Sequence, residues 1–350
     1  MNCNTFTNGM RDTMKILHAP INIAGQASIL SRAERSLGIK SDVLVFNHTL
    51  FEYEYDYNLQ LTKYPRILRG IIIILNFFIC YFKYDTFHFH FGRSLLPFNC
   101  DLHFYKFFKK KTIMHYWGSD VIQTDIAKKY TLLDEKIFDQ LYPALDNEKK
   151  RGSIKKINNL VDISIVGDYS LLAFSPNSCV VRQAIILSQI PYIGCELKKN
   201  SITIIHAPTQ RGLKGTRYIL PVIDQLKKEG YPIDFILVEK KPHHEAIEIF
   251  KKADIIIDDL LQGPYGILSI ECMAMGKPVL DYIHESFVRN YPELPIVNTN
   301  PDTLYDNLKK LIETPDLRIS IGKQGREYVE KNHDAKIIAA QMMKIYQNSR

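Results

Sequence analysis

Short apolar runs alternate along the chain with longer stretches whose apolar residues recur every three to four positions. In the first half the short runs fall at residues 15–19, 42–46, 86–89, 112–115, 163–166 and 179–182, and helical patterns at 24–37, 67–82, 96–108 and 148–159. In the second half strands are predicted at 202–206, 233–238, 254–258 and 278–282. Helices are predicted at 216–229, 243–251 and 267–275, then at 302–314, 316–330 and 334–347. Gly230 directly follows the helix at 216–229, a usual C-terminal stop. Val- and Ile-rich strands alternating with helices predict parallel sheets covered on both faces. The pattern runs through twice, so the expected fold class is α/β, with two doubly wound Rossmann-like domains facing across a cleft. Ligands of such sheets bind at the carboxyl ends of the strands.

The expected boundaries are a polar, disordered extension at 1–13, an N-terminal domain at 14–190, a linker at 191–200 and a C-terminal domain at 201–333, followed by a last helix at 334–350. The linker holds Pro191, Gly194 and a polar Lys198-Lys199-Asn200 end. Residues 1–13 hold no apolar stretch of the signal-peptide kind, and Met14 is a candidate start. With 350 residues, 46% hydrophobic and 24% charged, the chain can build two sizeable cores. Its six cysteines stand far apart without a C-x-x-C pair, which argues against a zinc site, a redox motif or a disulfide framework and for a reducing compartment.

Charge is unevenly placed. Residues 1–200 carry 25 Lys/Arg against 18 Asp/Glu, whereas residues 201–350 carry 20 of each. The basic half is expected to meet something anionic. No zinc-finger, KH or RRM pattern is present, so a membrane surface or an anionic acceptor is favoured over nucleic acid. The most apolar stretch, 71–82, is flanked by Arg66, Arg69 and Lys83 and falls short of the about 20 residues a span needs, so a buried or surface-lying helix is expected. The run Lys106-Phe107-Phe108-Lys109-Lys110-Lys111 has two readings. One is a helix end whose lysines suit the macrodipole; the other is a membrane-surface contact.

Candidate chemistry concentrates in residues 263–279, a glycine loop leading into a helix with Glu271 about one turn inside it. Free N–H groups at a helix N-terminus suit a phosphate, and Glu271 is placed to accept hydrogen bonds from a ribose diol. The plain alternative is a loop, a core helix and a capping carboxylate. Between the predicted strand 202–206 and helix 216–229 lie Arg211, Lys214 and Gly215. Two cations beside a helix N-terminus can stabilise a leaving diphosphate, although isolated loop bases are often merely solvated.

The run Gly263-Pro264-Tyr265-Gly266-Ile267-Leu268-Ser269-Ile270-Glu271-Cys272-Met273-Ala274-Met275-Gly276-Lys277-Pro278-Val279 resembles the signature of the GT4 family of retaining glycosyltransferases, group 1 type, which have the GT-B fold. The resemblance covers nearly the whole chain and is specific in residues 204–281. It implies that Glu271 holds the nucleotide ribose, while Gly263 stands where the family has its sugar-contacting glutamate. Asp258, Asp259 or a backbone group of the loop could take over that role. By the same resemblance Lys214 and Arg211 neutralise the diphosphate, and His90 of Asp85-Thr86-Phe87-His88-Phe89-His90 contacts the donor sugar. The implied donor-binding set is Glu271, Gly263, Tyr265, Gly266, Ile267, Gly215 and Gly25; Gln26 and Asp120 lie on the acceptor side. Asp120 could equally cap a helix. His88 and His90 share one strand face and could bind a metal, but no third ligand is apparent, so no metal and no cofactor are expected. The last helix is expected to cross back to the N-terminal domain.

The resemblance implies a metal-independent hexosyltransferase taking a UDP- or GDP-linked sugar to a glycan or lipid-linked acceptor. The setting implied is bacterial surface-polysaccharide biosynthesis, in the cytoplasm or peripherally on the inner membrane face. An inactive binding subunit and a nucleotide-sugar epimerase on the same fold are the rivals.

Overall fold

The computed structural model describes residues 14–48, 53–141, 146–196 and 200–348. The expected extension at 1–13 and residues 197–199 of the expected linker lie outside them. The chain divides into two compact units, one of Met1–Ile122, Asn147–Ile186 and Ala335–Arg350, the other of Gln123–Asp146 and Leu187–Asp334.

In the first unit the strands are β1 (Lys15–Ala19), β2 (Lys40–Val45), β3 (Tyr57–Asn58), β4 (Thr86–His90), β5 (Lys111–Tyr116), β6 (Ile163–Val166) and β7 (Cys179–Val180). They form one sheet in the order β3-β2-β1-β4-β5-β6-β7. Every pairing is parallel. Strand alternation sends Leu17, Phe87, Phe89 and Met114 into one core layer and Ile16, Ile113 and Ile165 into the other. The second layer is closed by helix Gln26–Ser36 and by helix Ala335–Asn348, which supplies Ile338, Ala339, Met342 and Tyr346.

In the second unit β8 (Ile202–His206), β9 (Ile233–Leu237), β10 (Ile255–Ile257), β11 (Val279–Asp281) and β12 (Val297–Asn298) form a parallel sheet in the order β12-β11-β10-β8-β9. All three residues of β10 are fully buried, as expected of a central strand covered on both faces.

Two boundaries differ from the sequence expectation. Residues 123–146 join the second unit because Leu132 N and Thr131 Oγ1 both donate to Leu261 O, at 2.8 and 2.9 Å, while Leu133 and Phe138 enter its core. The expected linker also packs there: Ile193 N and Gly194 N each donate to Met275 O at 2.9 Å. The two-residue edge strands β3 and β12 carry too little apolar pattern to stand out in the sequence.

Candidate functional site

In the second sheet the strand order reverses between β8 and β10, the usual place for a ligand crevice. β8 ends at buried His206, whose Nδ1–H donates to Ile257 O at 2.8 Å, so its Nε2 accepts from Thr216 Oγ1 at 2.8 Å. Burial lowers its pKa to about 4, which keeps the ring neutral. After β8 comes the helical turn Arg211–Lys214. Gly215 closes it at φ 77°, where a Cβ would come within 3.0 Å of Leu260 Cβ, and helix Thr216–Lys228 begins.

Lys214 reaches inward from this turn. Its Nζ lies 2.8 Å from Asp258 Oδ1 and 3.4 Å from Asp259 Oδ2. Burial penalises the ammonium, but Asp258, Asp259 and Asp281 outweigh that and hold its pKa above the ordinary range. Ser269 Oγ lies 2.8 Å from Asp258 Oδ2 and 2.7 Å from Asp281 Oδ2. One hydroxyl carries one proton, so it cannot donate to both. Lys214 keeps Asp258 below the carboxylate range despite its burial, whereas burial and the other two aspartates push Asp281 well above it. The consistent assignment is a relay of Lys214 ammonium, Asp258 carboxylate, Ser269 hydroxyl and Asp281 carboxylic acid. Lys214 is thus neutralised from within, a correction to its reading as a cation open to diphosphate.

Arg211 lies apart, exposed and bidentate on Glu239 at 2.8 and 2.6 Å. Glu271, on helix Ile267–Ala274, is nearly buried and meets His243 Nε2 at 2.7 Å through Oε1. Ser269 and Glu271 are two positions apart, about 200° around the helix, so Glu271 points away from the Lys214 cluster. The loop before this helix divides. Gly266, the N-cap, has nothing within 4 Å of where a Cβ would stand, and no side chain caps the helix that starts at Ile267. Gly263 is closed: at φ 94° a Cβ would lie 2.8 Å from Tyr130 O and 3.0 Å from His284 Cβ. Tyr265, expected at the donor, instead turns inward, its hydroxyl 2.9 Å from His333 Nε2 and 3.2 Å from Tyr328 Oη. Asp258 and Asp259 are also buried, and Asp259 accepts from Leu261 N, Gln262 N and Gln262 Nε2. Neither can stand in for the glutamate of the resembled signature without breaking these bonds.

In the first unit His90 is fully buried, not presented to a ligand. Trp117 Nε1–H donates to His90 Nδ1 at 3.0 Å, and an indole can only donate. His90 therefore carries its proton on Nε2 and donates to His18 Nδ1 at 3.0 Å. His18 Nε2–H in turn donates to Glu34 Oε2 at 2.9 Å. Glu34 also accepts from Ser41 Oγ at 2.7 Å and Tyr346 Oη at 2.9 Å. Tyr346 Oη lies 2.7 Å from His88 Nδ1, and His88 Nε2 lies 3.2 Å from His115 Nδ1. Burial, reinforced by the neighbouring histidines, lowers the pKa of His88, His90 and His115 well below the usual value. The third histidine that the strand pair lacked is His18, and nitrogens of His18, His88 and His90 lie within 4.8 Å of one another. Each of their ring nitrogens already has a hydrogen-bond partner, so the cluster is satisfied without an ion.

The acceptor-side residues are similarly occupied. Gln26 is buried and pairs both ways with the backbone of Ala184, at 2.8 and 3.0 Å, which ties helix Gln26–Ser36 to the chain after β7. Gly25 holds φ 71° with Tyr53 against it. Asp120 accepts from Gly118 N at 2.7 Å and Trp117 N at 3.1 Å, closing the turn after β5 instead of capping a helix, and burial raises its pKa to about 6. The sequence reading missed His18, Glu34, His115 and Tyr346 in this unit, and Glu239, His243, Ser269 and Asp281 in the other. Same-face spacing was a signal for Ile16/His18 and Ile113/His115; the rest depend on tertiary pairing.

Two parallel, doubly wound sheets of this kind define the GT-B fold class, and the chain has a glycosyltransferase-like GT-B fold. It is similar to the sucrose-phosphate synthase of Thermosynechococcus elongatus (TM-score 0.64, 14% identity, 95% of this chain and 98% of that one). It is also similar to Anabaena Alr3699/HepE in complex with UDP-glucose (0.60, 10%, 95% and 99%). A third such structure is the UDP-GlcNAc 2-epimerase of Neisseria meningitidis bound to UDP-GlcNAc (0.52, 16%, 95% and 99%). In sequence it matches the uncharacterized glycosyltransferase MJ1178 of Methanocaldococcus jannaschii at 25% identity over 99 residues, 27% of this chain and 28% of that relative's length. No protein-family model matches the chain.

Proposed function

We propose that this chain is a retaining, metal-independent glycosyltransferase of the GT4 kind. It moves a hexosyl group from a UDP- or GDP-linked sugar to a glycan or lipid-linked acceptor in bacterial surface-polysaccharide assembly, on the cytoplasmic side. The observation that carries this reading is the strand-order reversal of the second sheet. There the helix N-terminus at Ile267, which no side chain caps, stands about one turn from Glu271. That pairing suits a diphosphate on free N–H groups and a ribose on a carboxylate. UDP-glucose in a structure of similar fold supports the same ligand class.

In this reading Arg211 leaves Glu239 for the diphosphate, an exchange open to an exposed pair of little net strength. Lys214 acts at one remove, fixing Asp258 and, through Ser269, the helix that carries Glu271. Calorimetric titration with UDP and GDP, followed by donor turnover with candidate acceptors, tests the proposal. Binding abolished by Glu271→Ala and retained by the wild type supports it; equal binding by both overturns the site. An epimerase is the second reading, favoured by the similar Neisseria structure. Conversion of a UDP-sugar to its epimer without acceptor would decide for it.

A further inference from the structure

Helix Arg66–Lys83 has two apolar faces. One carries Phe77 and Cys80 into the core of the first unit. The other exposes Ile67, Leu68, Ile71, Ile74, Leu75, Phe78, Ile79 and Phe82, from 40% to 83% accessible. At about 100° per residue these eight lie within an arc of about 140°, a continuous stripe four turns long. A helix apolar all round is ordinarily buried, and scattered exposed apolar residues are ordinary where a stripe of this size is not. The stripe continues onto the next helix: Tyr81 packs on Phe104 and Phe108, at ring distances of 5.0 and 5.9 Å, and Phe107 and Phe108 are exposed beside them.

Charge selects the occupant. Residues 57–119 contain nine Lys/Arg and only two acidic residues, Asp85 and Asp101, of which Asp101 is buried. Lys63, Arg66, Lys106 and Lys109 are exposed around the apolar stripe. Lys83 at the end of the helix is paired with Asp42, but the bases at its start and on the Phe107–Phe108 corner leave the surroundings of this wide apolar face net basic, which fits an anionic lipid surface, where rings and aliphatic chains enter the acyl boundary and lysines meet the headgroups. No helix among the described residues is long and apolar enough to cross a membrane.

We infer that the first unit docks on an anionic bilayer through helix Arg66–Lys83 and the Phe107–Phe108 corner. The docking needs no sugar transfer and is measured without a donor.

Co-sedimentation of the full chain with vesicles of phosphatidylcholine, with and without phosphatidylglycerol, tests the inference. The expected result is binding that requires phosphatidylglycerol and weakens as salt rises. It should fall by about tenfold or more in Leu75→Glu and in Ile79→Glu, with unchanged circular dichroism and melting temperature. In Phe78→Trp the fluorescence should shift to the blue on vesicle addition. Absence of vesicle binding by the wild-type chain overturns the inference. So does a dimer in sedimentation velocity that Leu75→Glu dissociates, which would assign the stripe to a second copy.

Discussion

Glu271 Oε1 lies 2.7 Å from His243 Nε2, so the carboxylate expected to hold a ribose is already engaged by an imidazole. The hydrogen bond to Glu271, against the cost of partial burial, raises the pKa of His243 above its ordinary value. The imidazolium competes for Glu271 at low pH and lets go as pH rises through that raised pKa. Nucleotide affinity is therefore expected to increase severalfold across this range. In His243→Ala it should be flat and at the high-pH level. Titration calorimetry at several pH values checks this; a slope unchanged in His243→Ala would remove His243 from the site.

Lys214 sits among three buried aspartates, and its loss would leave Asp258 and Asp259 without their cation. Lys214→Met is expected to lower stability by ~3–5 kcal/mol, the cost of breaking a buried pair. Adding Asp258→Asn should recover part of the loss, because the uncompensated charge is then removed. Urea unfolding of the three variants measures this. A Lys214→Met chain as stable as wild type, yet slow in transfer, would return Lys214 to the open diphosphate-binding role.

Tyr346 ties the terminal helix to the sheet of the first unit, donating to Glu34 Oε1 and standing 2.7 Å from His88 Nδ1. Tyr346→Phe keeps the shape and leaves both groups short of a partner, so a loss of about 1–3 kcal/mol is expected. Denaturant unfolding checks it. A change below about 0.5 kcal/mol would mean the network contributes nothing beyond packing.

The two sheets and the sides of their strands were legible because buried parallel strands are short Val/Ile runs and alternation assigns faces. The same alternation put His88 and His90 together. The site was less legible. Glycines and cations near a helix N-terminus read as ligand contacts, but a sequence does not show that Asp258, Asp259 and Asp281 converge on Lys214 from the ends of β10 and β11. Nor does it show that Trp117, His18 and Glu34 use up the nitrogens of His90. These partners are remote in sequence, and the pairing that joins them is tertiary. Residues 123–146 were misassigned for a related reason: their docking rests on Leu261, more than a hundred residues away.

Burial, helped by neighbouring histidines, holds His88, His90 and His115 well below the ordinary pKa. A histidine depressed in the folded state supports stability fully above its unfolded value of about 6.5, and that support is lost as pH falls below it. Each can contribute up to about 1.4 kcal/mol per pH unit. His243, Asp101, Asp120 and Asp281, all raised, act in the opposite sense, so the ring signals are the cleaner readout. In nitrogen-resolved NMR the three buried rings should still be in their neutral tautomers at the pH where the urea-unfolded chain titrates, about 6.5. Protonation of His90 in the folded chain alongside the histidines of the unfolded chain would contradict the directed chain from Trp117 to Glu34.

Gly263 occupies the place where the resembled signature has a glutamate, and its backbone explains why none stands there. At φ 94° a side chain is strained whatever the space, and a Cβ would press on Tyr130 O at 2.8 Å. Restoring the carboxylate with Gly263→Glu is expected to cost about 1–3 kcal/mol in stability and to lower donor turnover instead of raising it. Gly263→Ala separates the two effects, since it carries the strain without the charge; similar losses in both would locate the damage in the backbone. Melting temperatures and turnover of the pair decide the matter. If Gly263→Glu were fully stable and faster than wild type, the loop would have to open in solution, and the glutamate's usual place beside the sugar would be available in this chain.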